Sequence, residues 1–244
     1  MELAVYEHEA AVEETHWWFV GRRKLFAREL TNLAIPAGAR VLDIGSGTGA
    51  NLRLLRQIGM PGVVRLDQSE VAIRFCEARG FSPVRRGDIR RLPFEDASFD
   101  LVLATDVIEH VEEDARAVAE IRRVLAVGGF ALMTVPAFPS LWGLQDDQSH
   151  HKRRYRRERL KELLTRAGLE IRKIYYFNYL LFPAVWAARQ VIRLVKPKIE
   201  SENQVNTPLI NRVLGLIFAL DVATAPKLRP PFGVSILAIC RRPD

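Results

Sequence analysis

The chain has 244 residues, 48% of them hydrophobic and 27% charged, enough for a core that needs no covalent staple. Two cysteines, Cys76 and Cys240, exclude a disulfide framework or a zinc-finger set, and the acidic start "MELAVYEHEA" lacks the pattern of a secretory leader. The expectation is a cytoplasmic protein with reduced thiols. A net charge of +7 suits an anionic partner, whether phosphorylated metabolite, lipid surface or nucleic acid, and selects none of them.

In chain order, residues 20–33 put Leu25, Phe26, Leu30 and Leu33 on one helical face, ended by Pro36-Ala37-Gly38. "RVLDI" (40–44) predicts a buried strand, followed by a glycine turn and a helix using Leu54, Leu55 and Ile58 up to Gly59. "GVVRLD" (62–67) predicts a second strand. Ser69 is placed to cap a helix through Ala72, Phe75 and Cys76 that Gly80 closes. "FSPVRRGD" is a weaker third strand, "FDLVLATD" a fourth and "FALMTVP", after Gly128-Gly129, a fifth. A helix at 156–167 leads to "LEIRKIYYF", the sixth, and "FGVSILAICRR" is the last. Strands alternating with helices imply an α/β, Rossmann-like doubly wound sheet of seven strands, mostly parallel.

The glycine turn reads Gly45-x-Gly47-x-Gly49, directly after a strand. A dinucleotide fingerprint places its third glycine one residue later. Asp43, two residues before Gly45, would repel a pyrophosphate and attract an ammonium group. Asp67, Asp88 and Asp106 fall at the carboxyl ends of strands two, three and four, where open α/β sheets bind ligands. A carboxylate at Asp67 suits ribose hydroxyls and one at Asp88 an adenine amino group. A ligand with adenine, ribose, an ammonium and no phosphate is S-adenosylmethionine.

With these motifs in register, the sequence resembles the class I S-adenosylmethionine-dependent methyltransferases, in particular the ubiquinone-biosynthesis-like branch, over residues 38–135. "VLDIGSGTG" is similar to their first motif, "RGDIRRLPFEDASFDLV" to the middle ones, and "VIEHV" and "IRRVLAVGGF" to the later ones. The resemblance implies an antiparallel last strand. It also implies that Asp43 and the Gly45, Gly47 and Gly49 backbone hold the methionine moiety, with Ser46 and Thr48 in the same turn. Asp67, followed by Gln68 and Ser69, would take the ribose, and Asp88 with Ile89 the adenine. Thr105, Asp106 and Val107 would surround the sulfonium.

"EETHWWFVGRR" (13–23) places Trp17, Trp18 and Phe19 in succession, and one helix cannot bury all three in one core. Residues 1–36 are therefore expected to form a helical lid, with Trp17 over the cofactor and Arg22 or Arg23 near its carboxylate. The alternative is a helix simply packed on the fold. The loop after strand five, 136–160, is the expected acceptor site, with His150, His151 and Tyr155 as candidate acid–base groups and His110 near the cofactor. Asp146, His150 and His151 are not expected to hold a metal, because no glutamate-rich site accompanies them. The run Arg153, Arg154, Arg156, Arg157 and Arg159 is either a solvated face or an anion site.

The core is expected at 37–177 and 232–244, with residues 178–231 inserted as a helical cap. Leu180, Leu181, Phe182, Val185, Trp186 and Ile192, flanked by Arg189, Arg193, Lys196 and Lys198, suit a packed core, a lid over an apolar acceptor, a homodimer contact or an interfacial helix at the inner face of the membrane. Neither cap helix has the charge-free apolar run of roughly 18 residues or more that spans a bilayer. The expected activity is methyl transfer to O or N of a small-molecule acceptor, lipid-linked or sugar-containing. Competing readings are a nucleic-acid methyltransferase, disfavoured because "TDVIEH" lacks the pattern of base-methylating enzymes, and a silent cofactor-binding protein.

Overall fold

A computed structural model describes residues 3–33, 35–36, 38–60, 62–195 and 207–244. Its sheet is built from β1 (Val41–Ile44), β2 (Val63–Asp67), β3 (Arg85–Arg86), β4 (Phe99–Thr105), β5 (Leu125–Pro136), β6 (Glu170–Phe177) and β7 (Ser235–Arg241). Their order across the sheet is β3-β2-β1-β4-β5-β7-β6, parallel except for β7, which runs antiparallel between β5 and β6. This is the expected seven-stranded, doubly wound architecture.

Alternation along the strands divides the core. Val41, Leu101, Leu103 and Leu132 point to one face with Leu25, Phe26, Leu30 and Leu55. Leu42, Ile44, Val102, Ala104 and Met133 point to the other, with Val118, Ile121, Leu160 and Leu164. Both faces of a parallel sheet must be covered, which is why these strands read as near-continuous apolar runs. The first face carries α2 (Trp17–Thr31) and α3 (Ala50–Gln57); the second carries α5 (Asp114–Val124) and α7 (Arg157–Arg166).

Several local expectations need correction. A helix α1 (Leu3–Val12) precedes α2, and α2 starts at Trp17 rather than residue 20 because His16 Nδ1 caps it, accepting from Trp18 N at 3.3 Å. Helix α4 (Glu70–Ala78) starts at Ser69 as expected, its hydroxyl accepting from Ala72 N at 3.4 Å. Strand β5 runs through Gly128-Gly129 instead of starting after them, since the 125–130 segment already pairs with Phe99 and Leu101. A short helix α6 (Leu144–Gln148) forms in the loop after β5.

Helices α8 (Phe182–Val195) and α9 (Pro208–Leu228) lie between β6 and β7 in sequence. Asp221 anchors α9, its carboxylate accepting from the backbone N–H groups of Asn178, Tyr179 and Leu180 at the end of β6. Phe218, Val222 and Ala225 are buried beneath it, whereas Leu209, Val213, Leu216 and Leu220 are exposed. By length and composition α9 could cross a membrane, yet one face is bound to the domain. Lys196 and Lys198 lie outside the described residues.

Candidate active site

The turn between β1 and α3 sits at the carboxyl edge of the sheet. Gly45, Gly47 and Gly49 take φ values of +71°, +54° and +90°, a region that a Cβ makes costly. Gly45 and Gly47 line a cavity of about 870 Å³; Gly49 is turned against Phe81 instead. Ser46, Thr48, Gln68, Ser69, Ile89, Thr105, Asp106 and Val107 line the same space, as does Asp67.

Asp67 braces the turn. One oxygen accepts from Gly47 N at 3.0 Å and the other from Ser69 N at 2.8 Å, and each keeps a lone pair for a ligand. Burial raises its pKa against the pull of these hydrogen bonds. Asp43 stands behind the wall rather than on it. Its Oδ1 accepts from Asn51 Nδ2 at 3.1 Å, while Oδ2 is buried without a partner. Burial pushes this carboxyl up to about 7. Asn51, which also donates to Thr105 Oγ1 at 2.9 Å, is the side chain that reaches the cavity. Sequence reading missed it because an asparagine in a helix carries no distinguishing pattern.

Asp88 also departs from expectation and does not line the cavity. Arg90, two residues on, closes on it with Nη2–Oδ2 at 2.6 Å and Nε–Oδ2 at 3.0 Å, and this hydrogen bonding lowers its pKa. Asp106, with φ +55°, pairs with Arg22 at 2.5 Å. Arg22 thus lines the cavity as an ion-pair partner of the turn after β4.

The N-terminal segment does two things at once. Trp18 stacks on Phe177 and Phe218 at centroid distances of 5.9 and 5.3 Å, and Trp17 N donates to Asn211 Oδ1 at 2.8 Å, so α2 is packed on α9 and β6. Trp17, Trp18 and Phe19 nevertheless line the cavity with Glu9 and Glu13. Glu13 is buried, paired with Arg53 at 2.5 Å and Arg79 at 2.6 Å, and accepts from the Thr48 hydroxyl. It fastens the segment to the glycine turn.

At the other end of the cavity, a 3₁₀ turn (Ile108–His110) after β4 meets the loop that follows α6. His110 and His151 meet edge to face, with ring centroids 4.7 Å apart. His151 Nδ1 bonds Asp146 Oδ1 at 2.8 Å, and Arg154 Nε bonds the same oxygen at 2.8 Å. Although burial would raise Asp146, its bonds to His151 and Arg154 hold it down at about 2. Burial and then the His151 neighbour push His110 down to about 4, so its ring is neutral. Val185, Ala188 and Ile192 of α8 line an apolar part of the wall.

His150 and Tyr155 are not brought to this corner. His150 is exposed at φ +56°, and Tyr155 is fully buried in the core, donating to Asp114 Oδ2 at 3.0 Å. The arginine run is held by partners within the chain: Arg153 and the exposed Arg159 pair with Asp114, buried Arg154 with Asp146, and exposed Arg156 lies over Phe138.

Residues 42–133 match the family model of the methyltransferase domain. A Mycolicibacterium smegmatis protein named "Probable S-adenosylmethionine-dependent methyltransferase" is 32% identical over 161 residues, 65% of this chain and 61% of that one. A protein of Encephalitozoon cuniculi that bears a methyltransferase name is 30% identical over 184 residues, 66% of this chain and 81% of that one. The chain belongs to the S-adenosylmethionine-dependent methyltransferases. A phthiotriol/phenolphthiotriol dimycocerosates methyltransferase of Mycobacterium ulcerans is 34% identical over 114 residues, 45% of this chain and 42% of that one. The chain thus spans less than two thirds of the mycobacterial relatives' lengths. A chain of the Haloferax volcanii complex between the Trm112 methyltransferase activator and a methyltransferase shares the fold, with TM-score 0.62 and 21% identity over 99% of this chain and 95% of that one.

The cofactor of this methyltransferase family fits the residues present. Asp67, on the wall, keeps lone pairs toward the cavity, and Gly45 leaves no room for a side chain: a Cβ there would stand 2.6 Å from Val107 Cγ2. Gly45→Ala is therefore expected to weaken S-adenosylmethionine binding at least tenfold by calorimetry, through both the clash and the positive φ.

Proposed function

We propose that the protein transfers a methyl group from S-adenosylmethionine to O or N of a small acceptor with a large apolar segment. One observation carries this reading: a single cavity joins the glycine turn and Asp67 to the His110–His151 corner and the apolar wall of α8. Its volume, about 870 Å³, lies in the upper part of the range of ligand sites and suits two ligands side by side.

In this reading Asp67 accepts from the ribose hydroxyls, the Gly45–Gly47 backbone lies along the methionine moiety, and Ile89 packs on the adenine. When bound, the cofactor supplies an electrophilic methyl on a sulfonium. The N-terminal segment, fastened through Glu13, excludes water and keeps the reacting groups in line. The His110–His151 corner receives the acceptor's reacting atom. The exposed apolar face of α9, with Arg212 on the same helix, supports a lipid-like acceptor and peripheral contact with an anionic membrane, as does the lipid named for the Mycobacterium ulcerans relative.

Asp43 gives this binding a pH dependence. With its pKa near 7, it is largely neutral at pH 6 and ionised at pH 8. Glu9, also pushed up to about 7 by burial, titrates alike. A cationic ligand favours the ionised forms, so S-adenosylmethionine is expected to bind several-fold more tightly at pH 8 than at pH 6. Calorimetry at the two pH values checks this, and Asp43→Asn should remove the share of the dependence that Asp43 carries and leave that of Glu9.

The activity is tested by incubating a metabolite extract with the protein and isotopically labelled methyl donor, then identifying labelled products by mass spectrometry. Label in an apolar small molecule is the expected result. Label confined to RNA or protein, or no transfer at all, contradicts it.

A further inference from the structure

The corner opposite the glycine turn contains acceptors without donors. Glu109 is completely buried, lines the cavity, and neither carboxylate oxygen has a hydrogen-bond partner. Arg22 and Arg154 act on it through charge, without a hydrogen bond to either oxygen. His151 Nδ1 is held by Asp146 Oδ1 at 2.8 Å. Asp146 also accepts from Arg154 Nε and Gly143 N, so His151 Nδ1 is the donor toward it and Nε2 is left with a lone pair. His110, edge to face with His151 at a centroid distance of 4.7 Å, turns a ring nitrogen toward the same corner. One ligand atom from each of Glu109, His110 and His151 lies within 4.8 Å of the others.

From this geometry, and resting on the reading of the corner as the acceptor site, we infer that Glu109, His110 and His151 bind a divalent transition-metal ion that holds and acidifies the acceptor's oxygen. Two imidazoles and one carboxylate form a donor set suited to zinc, cobalt or manganese rather than calcium. Ligands around such an ion stand roughly 3 to 3.5 Å apart, a small contraction from the present spacing. The surroundings match what a metal site needs around its ligands. Asp146 orients His151, and three further bonds, from Arg154 Nε and Gly143 N to Asp146 and from Lys152 N to the Glu109 carbonyl, fix the supporting backbone and carboxylate.

Three protein ligands leave coordination positions open toward the cavity. An acceptor hydroxyl on the ion would lose its proton more readily, the proton passing to solvent water and the oxygen remaining bound as alkoxide or phenolate. The expectation that His151 lies in no metal site rested on the want of a glutamate-rich site near it in sequence. The fold supplies a glutamate from forty-two residues upstream, at the end of β4.

The test uses the full chain, freed of metal by chelation and desalted, and titrated with Co²⁺ while visible absorption is read, with Zn²⁺ as competitor. The expected result is one equivalent of Co²⁺ with a d–d band that Zn²⁺ removes. Glu109→Gln and His151→Ala should each weaken binding at least tenfold, and the positioning variant Asp146→Asn about 10- to 100-fold. Calorimetry with S-adenosylmethionine, in all variants, reports independently on folding and on the cofactor site. Cofactor binding without a Co²⁺ band, or a band indifferent to these substitutions, overturns the metal site alone. Failure of cofactor binding in the unsubstituted chain would instead overturn the methyltransferase reading of the cavity.

Discussion

Asp67→Ala is expected to weaken S-adenosylmethionine binding at least a hundredfold while the protein stays folded. The carboxylate serves two partners at once. Toward the protein it accepts from Gly47 N and Ser69 N, holding the glycine turn against the end of β2. Toward the cavity it offers its remaining lone pairs to the ribose. Removing it takes away both ribose hydrogen bonds and frees the turn, and two charge-assisted hydrogen bonds at about 1.5 kcal/mol each give a factor of this size. Folding survives because neither core cluster includes this residue. Near-ultraviolet circular dichroism verifies the fold and calorimetry the loss. Asp67→Asn, which retains one acceptor oxygen, should recover part of the affinity.

The second large effect is expected at Glu13. Glu13→Ala removes the buried acceptor shared by Arg53, Arg79 and Thr48, the residues that join the N-terminal segment to the glycine turn and α4. Breaking a buried ion pair costs several kcal/mol. Here Arg53 and Arg79 are about 30% exposed, so solvent screens part of the loss and about 1–2 kcal/mol is expected. The measurable consequence is local. Amide exchange across α1 should accelerate markedly, while α2, stacked through Trp18 on Phe177 and Phe218, keeps its protection. Cofactor dissociation should speed about tenfold, because the cover is no longer fastened.

What the sequence reveals follows the range over which each feature is encoded. The strand–helix alternation is local: apolar runs such as "RVLDI" and "FDLVLATD", punctuated by Gly59 and Gly80, define elements within a few residues. The glycine turn is likewise legible because its neighbours in sequence are its neighbours in space, and Asp67 because it ends the strand that pairs directly with β1. Glu13 is different. Its partners Thr48, Arg53 and Arg79 lie 35 to 66 residues away, and nothing in "EETH" signals them. Glu109 reads as an ordinary acid in "VIEHV" until the loop after α6 brings His151 against His110. Asp88 shows the opposite case. Its position at a strand end suggests a ligand, while the fold gives its carboxylate Arg90, two residues later, as a partner and puts its neighbours Gly87 and Ile89 on the wall. Tyr155, polar and set in a basic run, is drawn into the core because its ring fills the space between α5 and α7 and its hydroxyl finds Asp114.

Calorimetry of the full chain with S-adenosylmethionine, S-adenosylhomocysteine and a nicotinamide dinucleotide tests the central claim most directly, that carboxylates beside a glycine turn shape this cavity for a cationic nucleoside and repel a pyrophosphate. The account predicts one equivalent of either sulfur compound, competing for one site, and no heat from the dinucleotide. Binding of the dinucleotide, or silence with both sulfur compounds, would contradict it.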